Sequence, residues 1–221
     1  MKSFDTHDFC YKQCKAELLE FEKLLSDKDE LSEKYDLSPF FKNSRNLVSL
    51  IGQLHPGITK TDQYAHEYDV FGDFKSDFTV GDSRRKAYCF IELEDARQDS
   101  VFKNTGRATS DWADRFEHGY SQIIDWNCKL DDTKKSDAFI DRFDAREIDL
   151  LSILVIGRSK FITKSERRRL DWRQKNVLVN SNKILCFTYD ELLVLLKESM
   201  GLPLLVMDAE SATEMVDIDD L

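Results

Sequence analysis

Long apolar runs are missing from this sequence, which excludes a membrane-spanning helix. The first residues, from Met1 to Asp8, lack the apolar core of a signal peptide. The expected location is therefore cytoplasmic, with no membrane partner. No internal repeat and no low-complexity linker divides the chain. Zinc-type spacing is absent as well: Cys10 and Cys14 stand one helical turn apart, but no second Cys/His pair answers them. An excess of positive charge is lacking, since 42 acids outnumber 32 Lys and Arg, and the formal net charge of −10 argues against indiscriminate coating of nucleic acid.

What is present suits a folded, soluble chain. With 41% hydrophobic and 33% charged residues, 221 residues are enough for one substantial α/β domain. Residues 5–30 carry Phe9, Leu18, Leu19, Phe21, Leu24 and Leu25 at amphipathic helical spacing. A second helix is expected from Pro39 to about Leu54, with Ser38 as its cap. Residues 63–71, 74–80 and 87–94 read as three antiparallel strands. Helix is expected again over 109–130, with Trp112, Phe116, Tyr120, Ile123, Ile124 and Trp126 on the buried side, and over 137–147. The apolar run from Leu150 to Ile156 reads as a strand buried on both faces. A basic helix (163–175), a buried strand (183–188, with Cys186 in the core) and a closing helix (189–199) complete the order. That order predicts an α/β fold, a mixed central sheet with an antiparallel meander and helices on both faces. The expected divisions are an N-terminal helical segment (1–57), a core domain (58–200) and an acidic tail (201–221).

The stretch from Tyr88 to Asp95 carries the chemistry. Phe90, Ile91 and Leu93 make it a buried strand, yet Glu92 and Glu94 stand in it, two residues apart and on one face. Leaving two such carboxylates unpaired costs roughly several kcal/mol, so a cation is expected opposite them. Asp77, one strand earlier, is expected near Glu92 across the ladder. Carboxylates without His or Cys suit Mg²⁺ or Mn²⁺, with Asp77 and Glu92 as ligands. Asp69, Asp73 and Asp82 compete for the same role. A plainer alternative pairs the acids with Arg84, Arg85 or Lys86 in a scaffold protein.

The charge is uneven. Arg158, Lys160, Lys164, Arg167, Arg168, Arg169, Arg173 and Lys175 crowd one segment, against only Glu166 and Asp171. The segment reads either as a phosphate-binding surface or as a solvated helix face. Residues 208–221 hold six acids and no base, and are positioned in sequence to compete for that surface.

Five segments carry a resemblance: Gly72 to Asp82, Phe90 to Ala96, His118 to Trp126, Leu154 to Arg158 and Thr188 to Leu192. Their order resembles the nuclease domain of the Shedu antiphage-defence family, and Asp77…Glu92-Leu-Glu94 resembles the PD-(D/E)xK nuclease superfamily. The resemblance implies a restriction-endonuclease-like fold and metal-dependent cleavage of DNA, RNA not being excluded, leaving a 5′-phosphate and a 3′-hydroxyl. It implies a homo-oligomer. It assigns Asp77, Glu92, Glu94 and Gln122 to catalysis, with Gln122 orienting a water or Glu94, and gives backbone phosphates to Arg158, Lys160, Lys164, Arg167, Arg168, Arg169 and Arg173. The superfamily pattern has Lys where this chain has Glu94. Glu94 can serve as a ligand or general base, Lys103 can take over the cationic role, or the chain binds nucleic acid without cutting it. His118 can contact substrate or support the fold.

Overall fold

The computed structural model describes residues 4–201. Its strands are β1 (Asp5–Thr6), β2 (Gln63–Val70), β3 (Phe74–Asp82), β4 (Ala87–Leu93), β5 (Phe102–Lys103), β6 (Asp111–Trp112), β7 (Asp149–Val155), β8 (Leu178–Val179) and β9 (Asn182–Phe187). Seven of them form one mixed sheet in the order β1-β2-β3-β4-β7-β9-β8, while β5 and β6 pair as a separate ribbon. The expected meander is β2-β3-β4, and the two strands after it join in parallel, β7 on β4 and β9 on β7. Parallel neighbours need crossover connections. These supply α4 (Asp114–Thr133) and α5 (Asp137–Phe143) before β7, and α6 (Lys164–Asn176) before β9.

The central strand β4 is buried at every position, as its residue types demand. Its two faces feed two cores. Cys89, Ile91 and Leu93 pack with α1 (Tyr11–Asp27), α2 (Ser38–Asn43), α3 (Arg45–Gly52) and α7 (residues 189–201). Tyr88 and Phe90 face Phe116, Tyr120, Ile123 and Trp126 of α4, with Phe139 and Phe143 of α5 and Leu170 of α6. Thr163 and Glu166 cap α6 reciprocally, and Thr188 and Glu191 do the same for α7. The α/β class and the mixed sheet flanked by helices are as read from the sequence. No helix among the described residues is long and apolar enough to cross a membrane.

Three local expectations fail. Residues 5–30 are not one helix: Asp5 and Thr6 pair with Tyr64 and Gln63 at the sheet edge, and α1 begins only at Tyr11. Residues 39–54 are not continuous either. A five-residue π-helix (Glu33–Leu37) leads into α2, and the chain breaks at Ser44 before α3. The new start is fixed by Glu17 of α1, whose carboxylate accepts from Leu47 N at 2.7 Å and Asn46 Nδ2 at 3.1 Å. A buried acid reaching from another helix thus caps α3, while Ser38, expected to cap a helix from Pro39, is itself the first residue of α2. Residues 109–113 stay outside α4 because β6 pairs with β5, and Ile124 is exposed. The acidic tail, except for residue 201, lies outside the described residues.

Candidate active site

Ladder geometry places the first two carboxylates. Phe78 of β3 pairs with Ile91 of β4. One step further along that register, Asp77 and Glu92 oppose each other on the face covered by α4. Asp77 Oδ2 accepts from Leu93 N at 2.7 Å, which ties the side chain to the neighbouring strand. Glu92 is only 5% exposed. On the far side of Asp77, Glu67 of β2 interrupts its strand with a φ of 51°. Such a left-handed residue costs roughly 1–3 kcal/mol, and such strain collects at functional sites.

Helix α4 supplies the polar lid. Arg115, His118, Gly119 and Gln122 follow helical spacing and lie on one face. Gln122 Nε2 donates to Glu92 Oε1 at 2.5 Å. His118 Nδ1 is 3.1 Å from Glu94 Oε1. Gly119 allows this approach: a Cβ there would stand 2.9 Å from Glu94 Cγ and from Leu154 Cδ1. Any side chain would push the helix off the strand. Below, the Tyr189 hydroxyl donates to the Glu94 carbonyl at 2.8 Å, locking the end of β4 to α7.

The cation that meets these acids is Arg115. Its Nε is 3.1 Å from Glu94 Oε2, one Nη is 3.1 Å from Asp95 Oδ2, and the other is 3.5 Å from Glu33 Oε2. Glu33 opens the π-helix, and its N–H donates to Asp95 Oδ1 at 2.7 Å. π-Helical turns recur at functional sites. Sequence reasoning missed both Glu33 and Arg115. Arg115 was within reach, because it sits seven residues before Gln122 on the same helix face. Glu33 carried no such signal among its acidic neighbours.

The pairing is uneven, and the proton affinities follow it. Glu94 is 1% exposed but touches Arg115 and His118, and burial still pushes it up to about 7. Asp77 is also pushed up to about 7, chiefly by burial and then by Glu33, Glu94 and Glu67. Burial, with Asp77 and Glu94 next, holds Glu92 well above the usual carboxylate range. Among the described residues, no Lys or Arg forms an ion pair with Asp77 or Glu92. Nor is any group of three or more His, Cys, Asp or Glu side chains arranged as it stands to hold a metal ion. Asp77 and Glu92 are a pair of hard oxygen donors with unmet charge, while Glu94 and Glu33 are held by arginine.

Other candidates resolve differently. Asp82 accepts from the backbone of Thr59, Lys60 and Arg85, Asp69 sits by Arg142, and Asp73 pairs with Lys129, all away from the cluster. Lys103 pairs with Asp114 at 2.6 Å and makes no ion pair with Glu94. Lys86 pairs with Asp144, and neither Arg84 nor Arg85 bridges Asp77, Glu92 or Glu94. The basic segment divides. Arg158 is 6% exposed, and its guanidinium holds Asp190 and the carbonyls of Leu25, Lys28 and Asp29, so it caps the end of α1 and has no face left for phosphate. Lys160 pairs with Asp29, and Arg167 with Glu191. Arg169 donates to the Ser110 carbonyl and stacks on Phe102 and Trp112. Arg173 grips Glu117 with both Nη atoms. Lys164 and Arg168 are exposed, and no ion pair holds either among the described residues.

A mixed α/β sheet that gathers acids from adjacent strands under a helix bearing His, Gln and Arg defines a protein with a carboxylate-centred site. The family profile described as "Shedu protein SduA, C-terminal" matches residues 30–193, and the chain belongs to that family. The match takes in every residue of the carboxylate cluster, from Glu33 to Gln122. No curated protein matches the chain.

Proposed function

We infer that this chain is a metal-dependent nuclease of the PD-(D/E)xK kind that serves antiphage defence. One observation carries the reading: half-buried Asp77 and buried Glu92, opposed across a ladder, have no Lys or Arg paired with them among the described residues, while Gln122 fixes one of them. Asp77 and Glu92 would hold a Mg²⁺ or Mn²⁺ ion, which when bound supplies Lewis-acid activation of a phosphodiester and of water. The rest is done by the chain itself. Glu94, with its raised proton affinity and its contact to His118, accepts a proton from the attacking water. Gln122 holds Glu92 in place. Arg115, whose nitrogens meet Glu94, Asp95 and Glu33 while its side chain stays 41% exposed, sets a positive charge beside the position where the superfamily pattern has Lys. The products are a 5′-phosphate and a 3′-hydroxyl.

The test is nicking of plasmid DNA with Mg²⁺ or Mn²⁺. Cutting by the native chain, lost in Glu92→Ala with its melting temperature kept, supports the reading. A native chain that binds neither metal at millimolar concentration and leaves the plasmid intact sinks it. A second reading, a module that binds nucleic acid without cutting, is favoured by one observation: the position of the usual lysine is an acid already held by arginine.

A further inference from the structure

Helix α6 presents one open stripe. Lys164, Arg168, Trp172 and Lys175 follow one another at four, four and three residues, which puts them on a single face. All four are exposed, and Trp172 is 64% exposed. The opposite side of the helix is spent, since Arg167, Arg169 and Arg173 are each held by an acid, a carbonyl or aromatic rings. Among the described residues no ring and no cation stacks on Trp172. The other two tryptophans are used internally: Trp126 is buried, and Trp112 lies between Phe102 and Phe116 under Arg169 and Arg173. An open hollow of about 1000 Å³ runs along this helix rather than over the carboxylates, lined by Trp112, Arg168, Trp172 and Lys175 among others. The stripe lies on the helix next to α4, because Arg173 grips Glu117, the neighbour of His118.

We propose that this stripe binds an unpaired nucleic-acid strand, with a base stacked on Trp172 and adjacent phosphates on Lys164, Arg168 and Lys175. In a chain with net charge −10, three cations without an ion pair among the described residues flank a bare indole, and the acid on that face, Asp171, is paired with Arg167; they match the two surfaces of such a strand, its charged backbone and its flat bases. A duplex keeps its bases stacked on one another and offers the indole nothing. This names the form of nucleic acid and rests on the nuclease reading only for the choice of nucleic acid as ligand.

The experiment is a titration of the whole chain, without divalent metal, against a dye-labelled oligothymidylate of about 12 nucleotides, read by the anisotropy of the dye so that variants without Trp172 stay measurable, with the tryptophan emission of the native chain followed alongside. Saturable binding and quenching of that emission are expected. Trp172→Ala weakens binding roughly tenfold or more, Trp172→Phe restores part of it, and joint alanine replacement of Lys164, Arg168 and Lys175 flattens the salt dependence by about two. Unchanged affinity in Trp172→Ala overturns the proposal. So does a duplex of equal length that binds and quenches as strongly, or a Trp172→Ala chain that changes only its oligomeric state. This titration measures no cutting, so beside the plasmid assay a chain that binds through Trp172 but leaves the plasmid intact loses the nuclease reading alone, and a chain that nicks it while ignoring Trp172 loses this proposal alone.

Discussion

Two groups of buried charge lie at the ends of neighbouring strands, and they differ in one respect. Beyond β7, Arg158 is saturated: Asp190 takes Nε at 3.0 Å and an Nη at 2.9 Å, and three carbonyls take the rest. On β3 and β4, Asp77 and Glu92 face each other with no Lys or Arg paired to them among the described residues. Both groups are ionisable side chains largely withdrawn from water, where charge is costly without partners, and the raised proton affinities of Asp77 and Glu92 reflect that cost. The saturated one spends itself on joining α1, β7 and α7. The unsatisfied one holds its free energy for something the chain does not contain. The five segments that carry the family resemblance sort along this line. Leu154 to Arg158 and Thr188 to Leu192 build the saturated group, whereas Gly72 to Asp82, Phe90 to Ala96 and His118 to Trp126 meet at the unsatisfied one.

The sharpest way to break this comparison is to remove one member of each. Glu92→Ala is expected to lower nicking by roughly three orders of magnitude while the fold keeps or gains stability. Arg158→Ala should do the reverse, costing roughly 3–5 kcal/mol in chemical denaturation because Asp190 is stranded. A stable Arg158→Ala chain would erase the distinction. Next in size is Gly119→Ala. Its methyl group has no room against Glu94 and Leu154, so about 1–3 kcal/mol of stability should go, together with activity as Gln122 and His118 shift.

A smaller effect sharpens the comparison through pH. Asp77 and Glu94 have folded proton affinities near 7, above their unfolded values near 4. The folded state therefore binds more protons than the unfolded one between these limits. Their contribution is fully present below about 4 and is lost as pH rises through about 7. Melting curves of the metal-free chain should show this loss, at roughly 2–4 °C for each kcal/mol. Asp77→Asn should remove part of the slope, Mg²⁺ should compensate at pH 7, and identical slopes in the native chain and Asp77→Asn would contradict the assignment. The smallest expected effect concerns the acidic tail. If it competes for the basic segment, removing residues 208–221 raises nucleic-acid affinity several-fold at low salt, and the gain disappears at high salt.

Much of the sheet was legible because its strands obey strong local rules. The expected strand 183–188 is β9 at Asn182–Phe187, and the apolar run from Leu150 became β7, since a segment that must be buried on both faces has few other forms. The N-terminal third was less legible. Asp5 and Thr6 are strand only because Tyr64 and Gln63 offer them an edge, and α3 starts where it does because Glu17 caps it from a different helix. No spacing within a single segment encodes either fact. The same holds for Arg158, whose sequence neighbours suggest a phosphate contact and whose fold neighbours forbid it.

Alternation in one strand was enough to set Glu92 and Glu94 on a common face, and the hairpin before it was enough to bring Asp77 opposite, because both follow from local backbone geometry. Which of these acids is left without a counter-charge was decided only by folding. Arg115 and His118 reach Glu94, Glu33 arrives from the π-helical turn, and neither Arg115 nor His118 forms an ion pair with Asp77 or Glu92. The reason is physical: covalent spacing governs where a side chain points, but its charge is balanced by whatever the rest of the chain packs beside it, and that is a property of three dimensions.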